Sequence, residues 1–401
     1  MNIINKIKGA NEGRDPERLA MKYQAMRENP FVFLRGTCSL FYERLEKKGI
    51  FRSAPLVWSC GDLHSENFGS YKGDNRLVYF DMNDFDEAAL APASWDLVRM
   101  LSSILIGGKS FGMSNANANA LCAEFLRAYA ATLSTGRAIW LERDTSHGAV
   151  RNLLDQVRLR SRAAFLDSRT QRKGQRRSFR LIGTKMLPVT PEQRSEVKKF
   201  IADFAKDRLN PDFYKVLDVA RRIAGTGSLG VDRYAILVQG KGSPDQNYLL
   251  DLKEALPSSI ASHLPAIQPV WHSQAERVYS VQRRMQAVPM AFLHAVDWKE
   301  TSYILRALQP TEDRVMMSKR GSDIDSLMGV VNTMGMCLAS AQLRSSGRQN
   351  SAIADELIAF ADRKKWGVKL LAAAAEMADR THRDWIIYCE AFDAHGFVLN
   401  A

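Results

Sequence analysis

The sequence predicts an α+β fold, and three observations predict it. Helical patterns dominate up to about residue 206 and again from Asp323 onward, while short apolar runs broken by glycine turns crowd the stretch between. Hydrophobic residues make up 46% of the 401 and charged residues 25%, the usage of a chain with a substantial core rather than a disordered one. No apolar run approaches the ~18 residues that a membrane helix needs.

Each element follows from local chemistry. Asp15-Pro16 opens a helix, with Asp as cap, Pro at the first position, and Leu19, Tyr23 and Met26 at helical spacing. Residues 31–48 read as a second helix. Leu56-Val57-Trp58 and 77–80 read as buried strands, separated by a connector with the turn signal Lys72-Gly73-Asp74-Asn75. The pattern is helical from Trp95 to about Leu133, and again near 192–206 after Pro188 and Pro191. Strands are expected at 216–224, 232–239 and 247–253, then a helix over 271–287 and strands near 290–296 and 302–308. Ile324, Leu327, Met328, Val331, Met334, Leu338 and Ala341 form one apolar stripe, and helices near 352–379 and 381–391 finish the chain.

Charge and cysteines narrow the class. The net charge is +12, and Arg151 to Lys185 alone holds eleven basic and two acidic residues. That run is a solvated surface or a site for an acidic partner. Nucleic-acid binding is disfavoured, because only Phe165 and Phe179 interleave and no recognition motif is present. The five cysteines are odd in number, scattered and without CxxC spacing, which argues against a structural zinc site or a disulfide framework and for a reducing cytoplasm. The opening MNIINKIKGANEGRD has no h-region, so no signal peptide is expected.

The sharpest segment is Gly61-Asp62-Leu63-His64-Ser65-Glu66-Asn67, followed by Phe80-Asp81-Met82-Asn83-Asp84-Phe85-Asp86-Glu87-Ala88. An Asp and an Asn five apart after a strand suit phosphoryl transfer. Asp62 would accept a hydroxyl proton, Asn67 would turn its amide oxygen to Mg²⁺, and a carboxylate of the next hairpin would be the second metal ligand. Four carboxylates within 81–87 would repel one another without a cation.

A second segment, Gly225-Thr226-Gly227-Ser228-Leu229-Gly230, leads into a β-rich run rather than a helix, so it fits a phosphate-covering hairpin better than a dinucleotide fold. Lys253 lies 23 residues after Gly230, on the next strand, where a lysine contacting the α/β-phosphates belongs. Glu276 on the following helix is the expected ion-pair partner, with Glu254 as the alternative. His382-Arg383-Asp384 spells a kinase triplet but lies in a helical pattern, with Cys389 where an Asn would be needed. A two-metal phosphoesterase would need an Asn-His pair, which the chain lacks.

These motifs carry a resemblance. Lys22-Tyr23-x-x-Met26, Asn29-Pro30-Phe31-x-Phe33-x-Arg35-Gly36, GDLHSENFG, FDMNDFDEA, Trp95-Asp96-Leu97, GTGSLG and DLKEA occur in the order of the bacterial DUF2252 family, over about 15–345. More distantly, GDLHSEN and DFDEA resemble the aminoglycoside phosphotransferase and choline kinase group. That resemblance implies Asp62 as catalytic base and Asn67 as metal ligand. Asp84 is favoured over Asp81 as the second ligand, with ATP and Mg²⁺ as cofactors. Cys60 replaces the family's His before the glycine, and Gln342 stands where a His closes the L-A-x-L-H helix.

Kinases place the glycine loop before the catalytic loop; here the order is reversed. The resemblance therefore implies a two-lobe protein-kinase-like fold, circularly permuted. The small lobe would span 207–312, the large lobe 1–206 and 313–401, and adenine would lie near Leu305–Pro310. The expected function is ATP- and Mg²⁺-dependent phosphotransfer to an unknown acceptor, small molecule or protein. A nucleotide-binding pseudokinase-type regulator and a metal-dependent phosphoesterase are the alternatives. Phosphoryl and nucleotidyl transfer are equally compatible with the motifs.

Overall fold

The largest sheet has six antiparallel strands, in the spatial order His294–Trp298, Thr301–Ala307, Tyr248–Glu254, Arg233–Val238, Val216–Arg222 and Met186–Leu187. This computed structural model describes residues 2–264, 266–310, 313–315 and 323–397. Arg233–Val238 is buried along its whole length, as its near-continuous apolar run requires of a strand covered on both faces. One face packs on the helix Pro191–Ala205 through Val197 and Ile201, together with Tyr234, Ile236 and Leu250. The helix Gln274–Met285, between the fourth and fifth of these strands in sequence, packs on the two strands that follow it and on the helix Ile324–Ser345.

The larger core is helical. Ser94–Ser110 is apolar around most of its circumference (Trp95, Leu97, Val98, Met100, Leu101, Ile104), and such a helix is stable only when surrounded. Asp323 caps Ile324–Ser345 by accepting from the Ser326 amide at 3.0 Å. This helix has the length and composition of a membrane span, but Leu327, Val331, Met334 and Leu338 are buried inside the protein. Its main neighbour is Asn115–Ser134. A Cβ at Gly335 would stand 2.5 Å from the Phe125 carbonyl, so glycine is what lets the two helices approach. Truncating Leu338 to Ala would cost about 2–5 kcal/mol.

Two small sheets position the acidic loops. Leu56–Ser59 pairs with Ala89–Pro92, which sets residues 59–62 beside 86–89. Phe68–Lys72 pairs with Val78–Met82 and that strand with Leu141–Glu142, which sets Asn67 beside Asn83 and Asp84.

The fold is mixed α+β, and its elements depart from the sequence expectations in four places. Residues 31–48 split into Pro30–Gly36 and Cys38–Arg44, because Thr37 leaves the helical region (φ −129°, ψ 47°). The final break falls at Lys365 (φ 67°), so Ala354–Ala361 is short and Trp366–Asp393 runs unbroken through residue 380. The sheet has a strand at Met186–Leu187, ahead of the first one expected at 216–224, and that short strand and the helix after it cover the Val216–Arg222 edge. The basic run is partly internal: Arg177 is buried against Asp167 (2.6 Å) and Asp245 (2.7 Å), Arg160 pairs with Asp313 (2.6 Å), and Arg162 lies 3.6 Å above the Tyr248 ring.

Candidate active site

A cavity of about 380 Å³ is lined by Asp62, Asn67, Asp84, Asp86, Glu87, the loop Gly225–Ser228 and Lys253. Segments that the sequence keeps far apart thus share one space, and its size is that of a small-molecule site.

The turn into the loop 61–67 is built on Gly61 and Asp96. Gly61 has φ +81°, and a Cβ there would come within 2.1 Å of the Glu87 carbonyl oxygen. Only glycine permits this approach of the two loops. Asp96, fully buried on its helix, accepts from the amides of Cys60 and Gly61, each at 3.2 Å. Burial pushes its pKa up to about 6, against the pull of these hydrogen bonds. Asp62 accepts two hydrogen bonds on one oxygen from Arg99, at 3.0 and 2.5 Å. Arg99 is completely buried beside the Phe41 ring, and despite that burial Asp62 holds it firmly charged. The pair fixes Asp62 at the cavity wall.

Asn67 joins the two acidic loops. Its amide oxygen accepts from the backbone N–H of Asp84 (2.8 Å) and Asn83 (3.3 Å), and its nitrogen donates to the Asp62 and Asp84 carbonyls. Asn67, itself part of the cavity lining, thereby ties together the loops that carry Asp62 and Asp84, with its oxygen engaged by two backbone amides.

The two metal-ligand candidates separate cleanly. Asp81 is buried away from the cavity, paired with Arg344 at 3.0 Å and accepting from the Ala287 and Met82 amides. Asp84 lines the cavity. Burial pushes its pKa up, but Lys253, Arg306, Arg314 and Arg233 together outweigh this and hold it below the ordinary value. Among the described residues no three His, Cys, Asp or Glu side chains stand close enough to cage a metal ion. Asp84 is the carboxylate whose place fits Mg²⁺, which needs few protein ligands when phosphates supply the rest.

Lys253, 4% exposed, donates to Ser228 Oγ at 2.7 Å and forms an ion pair with Asp86. It does not meet Glu276, the expected partner. That side chain turns back to accept from the His272 amide at 2.7 Å, at its own helix N-terminus. The neighbouring Arg277 reaches the acidic loop instead, donating to the carbonyls of Asp86 (2.8 Å) and Ala88 (2.7 Å). The geometric reason is helical: one position turns a side chain by 100°, and Arg277 has the inward face. Glu254 also lines the cavity, while the ammonium of Lys253 is directed to Asp86 and Ser228.

The glycine loop is held by the N-terminal segment, whose Arg14 and Lys22 also line the cavity. Arg14 donates to the carbonyls of Gly227 (2.6 Å) and Leu229 (2.9 Å), Lys22 to Gly227 (3.2 Å), and Arg18 to Val231 (2.9 Å). Burial and then Arg14 lower the pKa of Lys22 well below the ordinary value. Of these only Lys22 stood in a quoted motif, and no spacing signal marked Asp86 or Arg99, because their partners lie in distant segments. His382-Arg383-Asp384 sits within the last helix, where Asp384 pairs with Arg44 at 3.6 Å.

Chemically, the cavity offers one braced carboxylate, a second carboxylate among cations, a buried lysine and a loop of backbone amides. No curated protein and no solved structure matches the chain. A model of the family described as an uncharacterized protein conserved in bacteria, DUF2252, matches residues 14–391, almost all of the sequence, and the chain belongs to that family.

Proposed function

We propose that the protein is a kinase-like, ATP- and Mg²⁺-dependent phosphotransferase, in which an acceptor hydroxyl attacks a phosphorus of bound ATP. The observation that carries this reading is the convergence of Asp62, Asp84, Gly225–Ser228 and Lys253 on one cavity. The strand arrangement supports it. The glycine loop joins the first two strands of a consecutive trio, and Lys253 stands on the third, as in protein kinases. The reversed order of the two loops makes this a circularly permuted version, a change a fold tolerates when the cut lies in a loop.

Asp62, held by Arg99, takes the acceptor's proton, and Lys253 contacts phosphate oxygens while Asp86 keeps it in place. Asp84 holds Mg²⁺, which when bound neutralises phosphate charge. Positioning and charge neutralisation do the rest. All five cysteines are free, which supports the cytoplasmic location we infer. One observation favours a regulator that binds nucleotide without turnover: the Asn67 oxygen is already used by two backbone amides. Incubation with Mg·ATP and cell extract, followed by mass spectrometry of protein and small molecules, separates the two. A phosphorus-bearing adduct dependent on Asp62 supports the transferase; binding with no adduct supports the regulator; no binding of ATP refutes both.

A further inference from the structure

The cavity continues into a narrow slot lined by Arg222, Arg233, Arg306, Arg314, Asp84 and Gly225, of which the last three line the main cavity too. Register explains the crowding. Arg233 is paired across strands with Lys253, and Arg306 with Asp251, so their side chains share the sheet face that looks into the cavity. Asp251, fully buried, takes Arg233 on both oxygens (2.8 and 2.6 Å) and Arg222 at 2.7 Å, with Arg306 at 3.5 Å. Four guanidinium groups therefore surround two carboxylates, and the slot keeps an excess of positive charge.

Past the arginines the same face is closed. Ala220, Ala235, Leu237 and Leu249 are covered by Leu166, Phe179 and Met186, all buried, which come from the stretch 166–186. The slot itself has about 20 Å³ of room. A purine next to Leu305–Pro310 would lie either among the charged guanidinium groups or in a separate cavity of about 150 Å³ beside Tyr248, Phe292 and Leu308, which shares no lining residue with the main cavity. A neutral ring gains nothing from the arginines, whereas phosphate oxygens match their donors. Away from the residues it shares with the slot, the main cavity is also lined by the apolar side chains of Ile7, Leu40, Leu256 and Pro257, alongside polar ones such as Asn11 and Ser259.

We propose that the terminal phosphates of the nucleoside triphosphate sit at the mouth of this arginine slot, with the nucleoside against Leu40 and Leu256, so that the group transferred is nucleotidyl. This rests on the ATP-dependent reading above and specifies which phosphorus is attacked. With the chain of phosphates running toward the arginines, the α-phosphorus lies nearest Asp62. The acceptor oxygen bonds to that phosphorus, and its proton passes to the Asp62 carboxylate. The bond from the α-phosphorus to the bridging oxygen breaks, its electron pair leaving on pyrophosphate, whose charge the arginines hold.

The test uses the full chain with Mg·ATP labelled at the α or the γ position, in the presence of cell extract, and in parallel an azido-adenine ATP cross-linked by light and mapped by mass spectrometry. The expected result is α label retained on the product, γ label released as pyrophosphate, and cross-links within 37–40 or 254–257. Retained γ label with release of ADP, or cross-links at Leu305–Pro310 or at Tyr248 and Phe292 of the separate apolar cavity beside them, overturns the orientation while leaving ATP-dependent transfer standing. ATP that neither cross-links nor binds overturns both. If no label is transferred, the cross-link position alone decides. Arg314→Gln should weaken binding of Mg·ATP and of tripolyphosphate ~10-fold or more, with Arg314→Lys partly restoring it and adenosine binding unmoved. Equal loss for adenosine, or no loss for tripolyphosphate, refutes the placement.

Discussion

The partner of Lys253 is the point at which the motif spacing and the fold disagree, and a double-mutant cycle decides it. Lys253 is only 5% exposed at its side chain and Asp86 is 37% exposed, with Ser228 as the lysine's other contact. Breaking a fully buried ion pair costs about 3–5 kcal/mol, and an exposed pair about 0–1. With one partner buried and the other open to water by more than a third, a coupling of about 1–2 kcal/mol is expected between Lys253→Met and Asp86→Asn. The coupling between Lys253→Met and Glu276→Gln should be near zero, since Glu276 caps its own helix. Urea unfolding of the four proteins in each cycle gives both numbers, and fluorescence titration with Mg·ATP repeats the comparison for binding. A coupling above about 0.6 kcal/mol to Glu276, or none to Asp86, would refute the assignment and restore the helix carboxylate as the partner.

Asp84→Asn should weaken Mg·ATP binding at least ~10-fold with little loss of stability, whereas Asp81→Asn should destabilise the fold by about 3 kcal/mol by stranding Arg344, and leave the binding of the folded fraction nearly unchanged; calorimetric titration and thermal unfolding of both variants check this. Asp62→Asn should remove turnover while Mg·ATP still binds, and should also lower the urea midpoint, because Arg99 loses its buried counter-charge; lost ATP binding in the folded variant would make Asp62 a metal ligand instead. Asp96 supplies a pH signature. Its folded pKa of about 6 lies above the ordinary 3.8, so folding favours the protonated form. The stability it contributes is present below about pH 4 and lost as pH rises through 6, by about 3 kcal/mol in all. The stability difference between the wild type and Asp96→Asn, measured from pH 4 to 7, should fall with pH over that window; a flat difference would show that Asp96 ionises as freely folded as unfolded.

What the sequence determined by itself was local. Apolar periodicity and punctuation placed the helix beginning at Ile324 and the strands at 216–222, 233–238 and 248–254 to within two residues, because those signals are written in adjacent side chains. Short-range motifs likewise picked out Asp62, Asp84, Gly225–Ser228 and Lys253, all of which line one cavity. The tertiary structure alone decided pairings. Lys253 meets Asp86 rather than Glu276, because strand register and the helix face, not spacing along the chain, aim each side chain. Asp81 and Asp84, three residues apart, part company because one points into the core at Arg344 and the other into the cavity. The Asn67 oxygen is consumed by backbone amides that only the pairing of Phe68–Lys72 with Val78–Met82 brings near. The arginines at 222, 233, 306 and 314 were four unremarkable positives in sequence. The first three meet at Asp251 only because antiparallel strands put every second residue of each on one face, Arg314 joins them at the slot from outside the sheet, and charge acts through space over a few ångströms rather than along the chain.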